Sequence, residues 1–106
     1  MRTLLAALAA PLVLAAAPAP PPPVVVKIAN FTFAAPMVTV APGTTVTWVN
    51  EDDIPHTIVA ADNKAFRSKV LDSGDRFAFT FTTPGTWGYY CGVHPHMTGK
   101  VVVKAS

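Results

Sequence analysis

The sequence predicts an all-β sandwich, and three observations predict it. Beyond residue 23 the apolar residues recur in short segments, several of them alternating with period two. Turn chemistry separates these segments, about every 8–12 residues. No stretch beyond residue 23 carries the 3.6-residue pattern of an amphipathic helix. About eight short strands with such spacing fit two packed sheets.

The segments follow in order. Val24–Ala29 is apolar and rich in β-branched residues, which suit a pleated surface. Phe31 and Phe33 then alternate with Thr32 and Ala34. Met37–Val40 runs into Ala41-Pro42-Gly43-Thr44, where proline ahead of glycine marks a turn. Thr44–Asn50 alternates, with Val46 and Trp48 on one face and Thr45, Thr47 and Val49 on the other. His56–Ala60 follows a polar loop, and Phe66–Leu71 is a weaker strand signal. Between these two, Ala61–Phe66 holds at most one helical turn. Asp72-Ser73-Gly74-Asp75 is a turn, and Arg76–Phe81 then sets Phe77, Phe79 and Phe81 on one face. Thr83-Pro84-Gly85-Thr86 turns the chain again, into Trp87–Cys91 and finally Gly99–Lys104. The predicted inward set is Val26, Ile28, Phe33, Val40, Val46, Trp48, Ile58, Phe77, Phe79, Phe81, Tyr89, Val101 and Val103.

The N-terminus reads differently. Arg2 is followed by a Leu/Ala run that ends in small residues, the layout of a secretory signal peptide. We assign residues 1–19 to it, with cleavage after residue 17 or 19. The run is too short for a membrane span, and Pro11 interrupts it. Residues 20–23 form a proline-rich stub, extended and without a packing role. The folded domain is residues 24–106, and the mature chain has no membrane span. Export to the periplasm is the expectation.

Composition excludes several classes. With 51% hydrophobic and 13% charged residues, the chain is too apolar to be disordered. Eight Lys/Arg against six Asp/Glu are scattered, so no basic stripe grips nucleic acid. The single cysteine excludes an intramolecular disulfide.

Chemistry concentrates near that cysteine. Cys91, His94 and Met97 recur at three-residue intervals in the connection between two predicted strands. Upstream, His56 follows Pro55 in a loop that a sandwich can bring to the same end. A thiolate, two imidazoles and a weak thioether are the donor set of an electron-transfer copper site. Zinc favours four ligands without a thioether, and no second cysteine is present. A haem attachment motif is absent as well. Glu51-Asp52-Asp53 reads as a solvated loop, and Met37 as packing.

At this point the chain resembles the cupredoxins, the small blue copper proteins, over residues 24–106. The strings Val46-Thr47-Trp48-Val49-Asn50, Pro55-His56-Thr57 and Tyr90-Cys91-x-x-His94-x-x-Met97 carry the resemblance. The short Cys-x2-His-x2-Met loop is amicyanin-like, as is the step from Asn50 to His56. The resemblance implies a Greek-key β-sandwich holding one copper ion, with His56, Cys91 and His94 equatorial and Met97 axial. It implies that Asn50 ties the His56 loop to the Cys91 loop by hydrogen bonds. His96 departs from the amicyanin pattern, which has an aromatic residue there. It is expected to face solvent, and its replacing His94 as ligand is the poorer arrangement.

The implied function is single-electron transfer by Cu(I)/Cu(II) cycling between larger redox proteins. The protein would be a monomeric carrier with transient redox partners, not an enzyme. A copper-binding or copper-delivery protein without a redox role is the alternative. A thiolate enzyme built on Cys91 is weaker, since no oxyanion motif or orienting third residue accompanies it.

Overall fold

The structure is a computed structural model, and it describes residues 19–105. The predicted signal peptide lies outside the described residues, except for residue 19. Among these described residues eight strands follow in chain order: β1 (Val24–Ala29), β2 (Thr32–Phe33), β3 (Met37–Val40), β4 (Thr44–Asn50), β5 (Val59–Ala60), β6 (Arg76–Phe81), β7 (Gly85–Tyr90) and β8 (Thr98–Val103). Among the described residues no helix is long and apolar enough to cross a membrane.

The strands form two four-stranded sheets, ordered β2-β1-β4-β6 and β3-β8-β7-β5. Two pairings are parallel. β1 lies along β4 from Val24 opposite Val46 to Ile28 opposite Asn50, and β3 lies along β8. The other pairings are antiparallel. Parallel neighbours cannot be joined by a tight turn. Between β1 and β4 the chain therefore crosses to the second sheet as β3 and returns.

The period-two pattern works as expected in β4, where Val46 and Trp48 point inward and are fully buried. Trp48 stacks on Phe77 and Phe66 and meets Tyr89 edge-on at 5.2 Å. Burying an aromatic of that size contributes about 4–6 kcal/mol. Phe77 and Phe79 of the inward set are only half-buried, because β6 is the edge strand of its sheet. They still pack against the core.

Three local expectations are corrected. Phe31 is not in a strand: Asn30 and Phe31 have φ of 52° and 57° and form the two-residue turn between β1 and β2. Two consecutive left-handed residues give the tight hairpin whose twist matches the flanking strands. The His56–Ala60 and Phe66–Leu71 segments run antiparallel but form only isolated bridges, leaving Val59–Ala60 as strand. The Ile58 amide there donates to the Ser68 hydroxyl at 2.8 Å, so a side chain substitutes for a ladder carbonyl. Finally, Pro21 is half-buried, and Pro21–Pro23 line a recess with Thr39–Ala41 and Thr44.

The topology sets what meets at one end. Because β1 is parallel to β4, the turn after β1 and the loop after β4 emerge together. β7 ends and β8 begins at that same end, so the connection between them joins the cluster.

Candidate metal centre

His56, Cys91 and His94 converge there, their ligating atoms within 4.8 Å of one another. Cys91 Sγ lies 3.7 Å from His56 Nδ1 and 3.9 Å from His94 Nδ1. His56 and Cys91 are fully buried, and His94 is partly exposed. Met97 is buried beneath the loop in the core cluster. His96 is exposed, its ring 6.5 Å from that of His94, and it does not join the group. Met37 is exposed on β3, away from the role in packing expected of it.

The Cys91–Met97 connection is a closed loop. The Cys91 amide donates to the Met97 carbonyl at 3.0 Å, and the Met97 amide to the His94 carbonyl at 2.9 Å. These bonds hold the cysteine, histidine and methionine at one small turn. The upstream histidine is fixed by a reciprocal backbone pair with Leu71. Thr57, the next residue, joins the two loops. Its amide donates to Cys91 Sγ at 3.4 Å, and its hydroxyl accepts from the Gly92 amide at 2.7 Å.

Asn50 is buried beside this frame, but its bonds differ from those the resemblance implied. Its side-chain amide donates to the Ile54 and Leu71 carbonyls, and its oxygen accepts from the Asp52 amide. It thus ties the His56 loop to the Leu71 segment. The link to the Cys91 loop belongs to Thr57.

Asp52 is the other correction, since it is not simply solvated. Its Oδ2 lies 2.8 Å from His56 Nε2, while its carboxylate accepts from the Asn30 and Phe31 amides. Desolvation opposes its charge. The Phe31 amide, the His56 ring and the Asn30 amide outweigh that and lower its pKa below the ordinary 3.8. A carboxylate accepting at Nε2 keeps the proton there, leaving the Nδ1 lone pair facing the sulfur. Glu51 pairs loosely with Lys27 at the surface.

The donor set tests what the site can hold. One thiol and two imidazole nitrogens, two of the three groups buried, suit an ion that accepts both soft sulfur and nitrogen. The comparisons with known proteins agree. The signature of the copper-binding proteins of the plastocyanin/azurin family matches residues 23–104. The chain belongs to this family of cupredoxins. One copper ion is its cofactor, and the His56–Cys91–His94 group fits one copper.

This cupredoxin is 37% identical over 85 residues to amicyanin from Paracoccus versutus, covering 76% of this chain and 64% of that one. It is 38% identical over 83 residues to amicyanin-alpha from Methylorubrum extorquens, covering 74% and 70%. The chain thus spans about two thirds of the length of these curated relatives. The crystal structure of the Paracoccus versutus amicyanin superposes with a TM-score of 0.72 at 36% identity, covering 82% of this chain and 86% of that one. A purple cupredoxin from Nitrosopumilus maritimus gives 0.72 at 32% identity, covering 76% and 99%.

Proposed function

We propose that this cupredoxin is an exported, monomeric carrier of single electrons. His56, Cys91 and His94 would hold the copper, with the Met97 thioether as a further, weak donor. The bound ion supplies one-electron chemistry, as Cu(I) or Cu(II). The residues supply the rest. The buried Cys91 thiolate and His56 imidazole exclude water, and the loop bonds keep the donors in place in both oxidation states. Little rearrangement is then needed when an electron moves.

The observation that carries this reading is the contrast between buried donors and the partly exposed His94. Phe31, whose ring meets His94 edge-on, and Val93, its neighbour in the chain, are exposed and apolar. Pro55 and Pro95, next to His56 and His94 in sequence, are exposed as well. His94 is the electron port, and the apolar rim suits brief docking by larger redox proteins. The nearly balanced charge leaves steering weak. The leader-like N-terminus supports a periplasmic location. The amicyanin relatives support a carrier over an enzyme.

The test is to load the full chain with Cu(II), record optical and EPR spectra, and cycle it with a reductant. An intense thiolate-to-copper band, narrow hyperfine splitting and repeated cycling without metal loss are expected. An ordinary tetragonal copper signal would refute the ligand set. Metal release on reduction would favour copper delivery instead.

A further inference from the structure

Phe31 stands in a conformation that a bulky side chain rarely adopts, at φ 57°. It is 44% exposed, so burial alone does not hold it there. Two contacts do. Its ring sits edge-on to His56 at 5.7 Å and 88°, and edge-on to His94 at 5.2 Å and 84°. Beneath it, Asp52 accepts from the Asn30 amide at 2.7 Å and from the Phe31 amide at 3.0 Å. The oxygen that takes the Phe31 amide also meets His56 Nε2 at 2.8 Å. One carboxylate therefore fixes the left-handed turn and one imidazole together. The turn in its place sets an aromatic ring against both imidazoles. Strain kept by surrounding bonds at a site is a pointer to function.

We propose that Asp52 and Phe31 act as one positioning clamp, which holds the His56 and His94 rings in ligating orientation before copper arrives and so governs how tightly copper is kept. The proposal rests on His56 and His94 being the ligands. Asp52 orients His56 through Nε2 and the Phe31 ring through the turn. Phe31 restrains His94, the more exposed of the pair, which lacks a carboxylate of its own among the described contacts.

Phe31→Gly isolates the ring's role. Glycine takes a left-handed φ without steric cost, so the turn survives and the apo-protein should keep its fold. Copper affinity, measured by chelator competition on the full chain, should nevertheless fall about two- to tenfold, the worth of one aromatic contact. In the apo-protein, ring nitrogen NMR should show His94 broadened or rotating while His56 keeps its Nε2 proton. Asp52→Ala should lose both the His56 tautomer and about 10–100-fold in affinity. Phe31→Tyr should restore wild-type behaviour.

Because both residues act through one turn, the double variant should lose less than the product of the two single losses. Unchanged His94 ring dynamics and affinity in Phe31→Gly would overturn the clamp, as would multiplicative losses in the double variant. Absence of the thiolate–copper band in the wild type would refute the ligand reading, and the clamp with it. A wild-type band beside unaffected variants would refute the clamp alone.

Discussion

Replacing Gly92 by alanine tests how tightly the two ligand loops are joined. The backbone there has an ordinary φ, so space alone decides the outcome. A methyl group at 92 would lie 2.8 Å from Thr57 Oγ1 and 3.3 Å from Val59 Cγ2. Comfortable contacts are about 3.5–4.0 Å. Thr57 cannot step aside freely, because its hydroxyl accepts the Gly92 amide and its own amide donates to Cys91 Sγ. Overpacking of this kind costs about 1–3 kcal/mol. Losing the amide–hydroxyl bond adds about 0.5–1.5 kcal/mol. Together they give about 1.5–4.5 kcal/mol, or roughly 6–36 °C in melting temperature for a domain this small. Thermal unfolding of the apo-protein, followed by circular dichroism, measures it. In a Thr57→Ala background the obstructing oxygen is gone, and the same Gly92→Ala change should cost about 1 kcal/mol or less. A Gly92→Ala protein melting within about 2 °C of wild type, or equal costs in both backgrounds, would refute the account of Thr57 as the link between loops.

Cys91→Ser should remove the visible charge-transfer colour while the apo fold survives, since the hydroxyl keeps the Thr57 amide and the His56 ring as neighbours; a variant that stays blue would exclude Cys91 as ligand. Met97→Gln should keep copper but alter the reduction potential, and an unchanged voltammogram would argue against an axial Met97. Gly99→Ala should destabilise the fold more than Gly92→Ala, since its methyl would overlap the buried Tyr89 ring; equal or higher melting would contradict that packing. The Asp62 carboxylate accepts the Lys64 and Ala65 amides, and the Ala65 amide followed by the Lys64 amide holds its pKa below the ordinary 3.8. A lowered folded pKa means the turn is fully supported above the ordinary value and loses support as pH falls through the folded one. Hydrogen exchange at Lys64 and Ala65 should therefore lose protection only as pH falls below the ordinary 3.8, and Asp62→Ala should show no such step.

Much of this was legible in the residue order. Alternation located β4 and β6, an apolar β-branched run located β1 and a following Pro-Gly turn bounded β3, while Cys91 and His94 announced themselves by spacing. His56 was legible because a proline–histidine pair followed a long strand. The roles of Asp52, Thr57 and Phe31 were not. Each depends on which strand ends share one end of the sandwich, and parallel pairing of β1 with β4 leaves no local signature. An aspartate four residues before His56 was the one available signal for Asp52. Phe31 ran against propensity, since a bulky residue between Asn30 and Thr32 reads as strand and not as left-handed turn. The 56–71 region misled for a related reason: its apolar residues alternate, but Ser68 supplies bonds that a strand would take from backbone. Asn50 shows the limit of resemblance: it bonds within the His56 loop, but its other partner is Leu71 and not the Cys91 loop.

The pairing of β3 with β8 also has a consequence in time. Met37–Val40 must wait for residues 100–103 before it gains a neighbour, and His56 and Cys91 are 35 residues apart. Closing such distant contacts late makes folding slow compared with local hairpins. A chain emerging from a pore N-terminus first would present His56 long before the cysteine, and would close its last sheet only once the C-terminal strand was free. The order of strands thus completes the thiolate–imidazole group only when the last strand is in place.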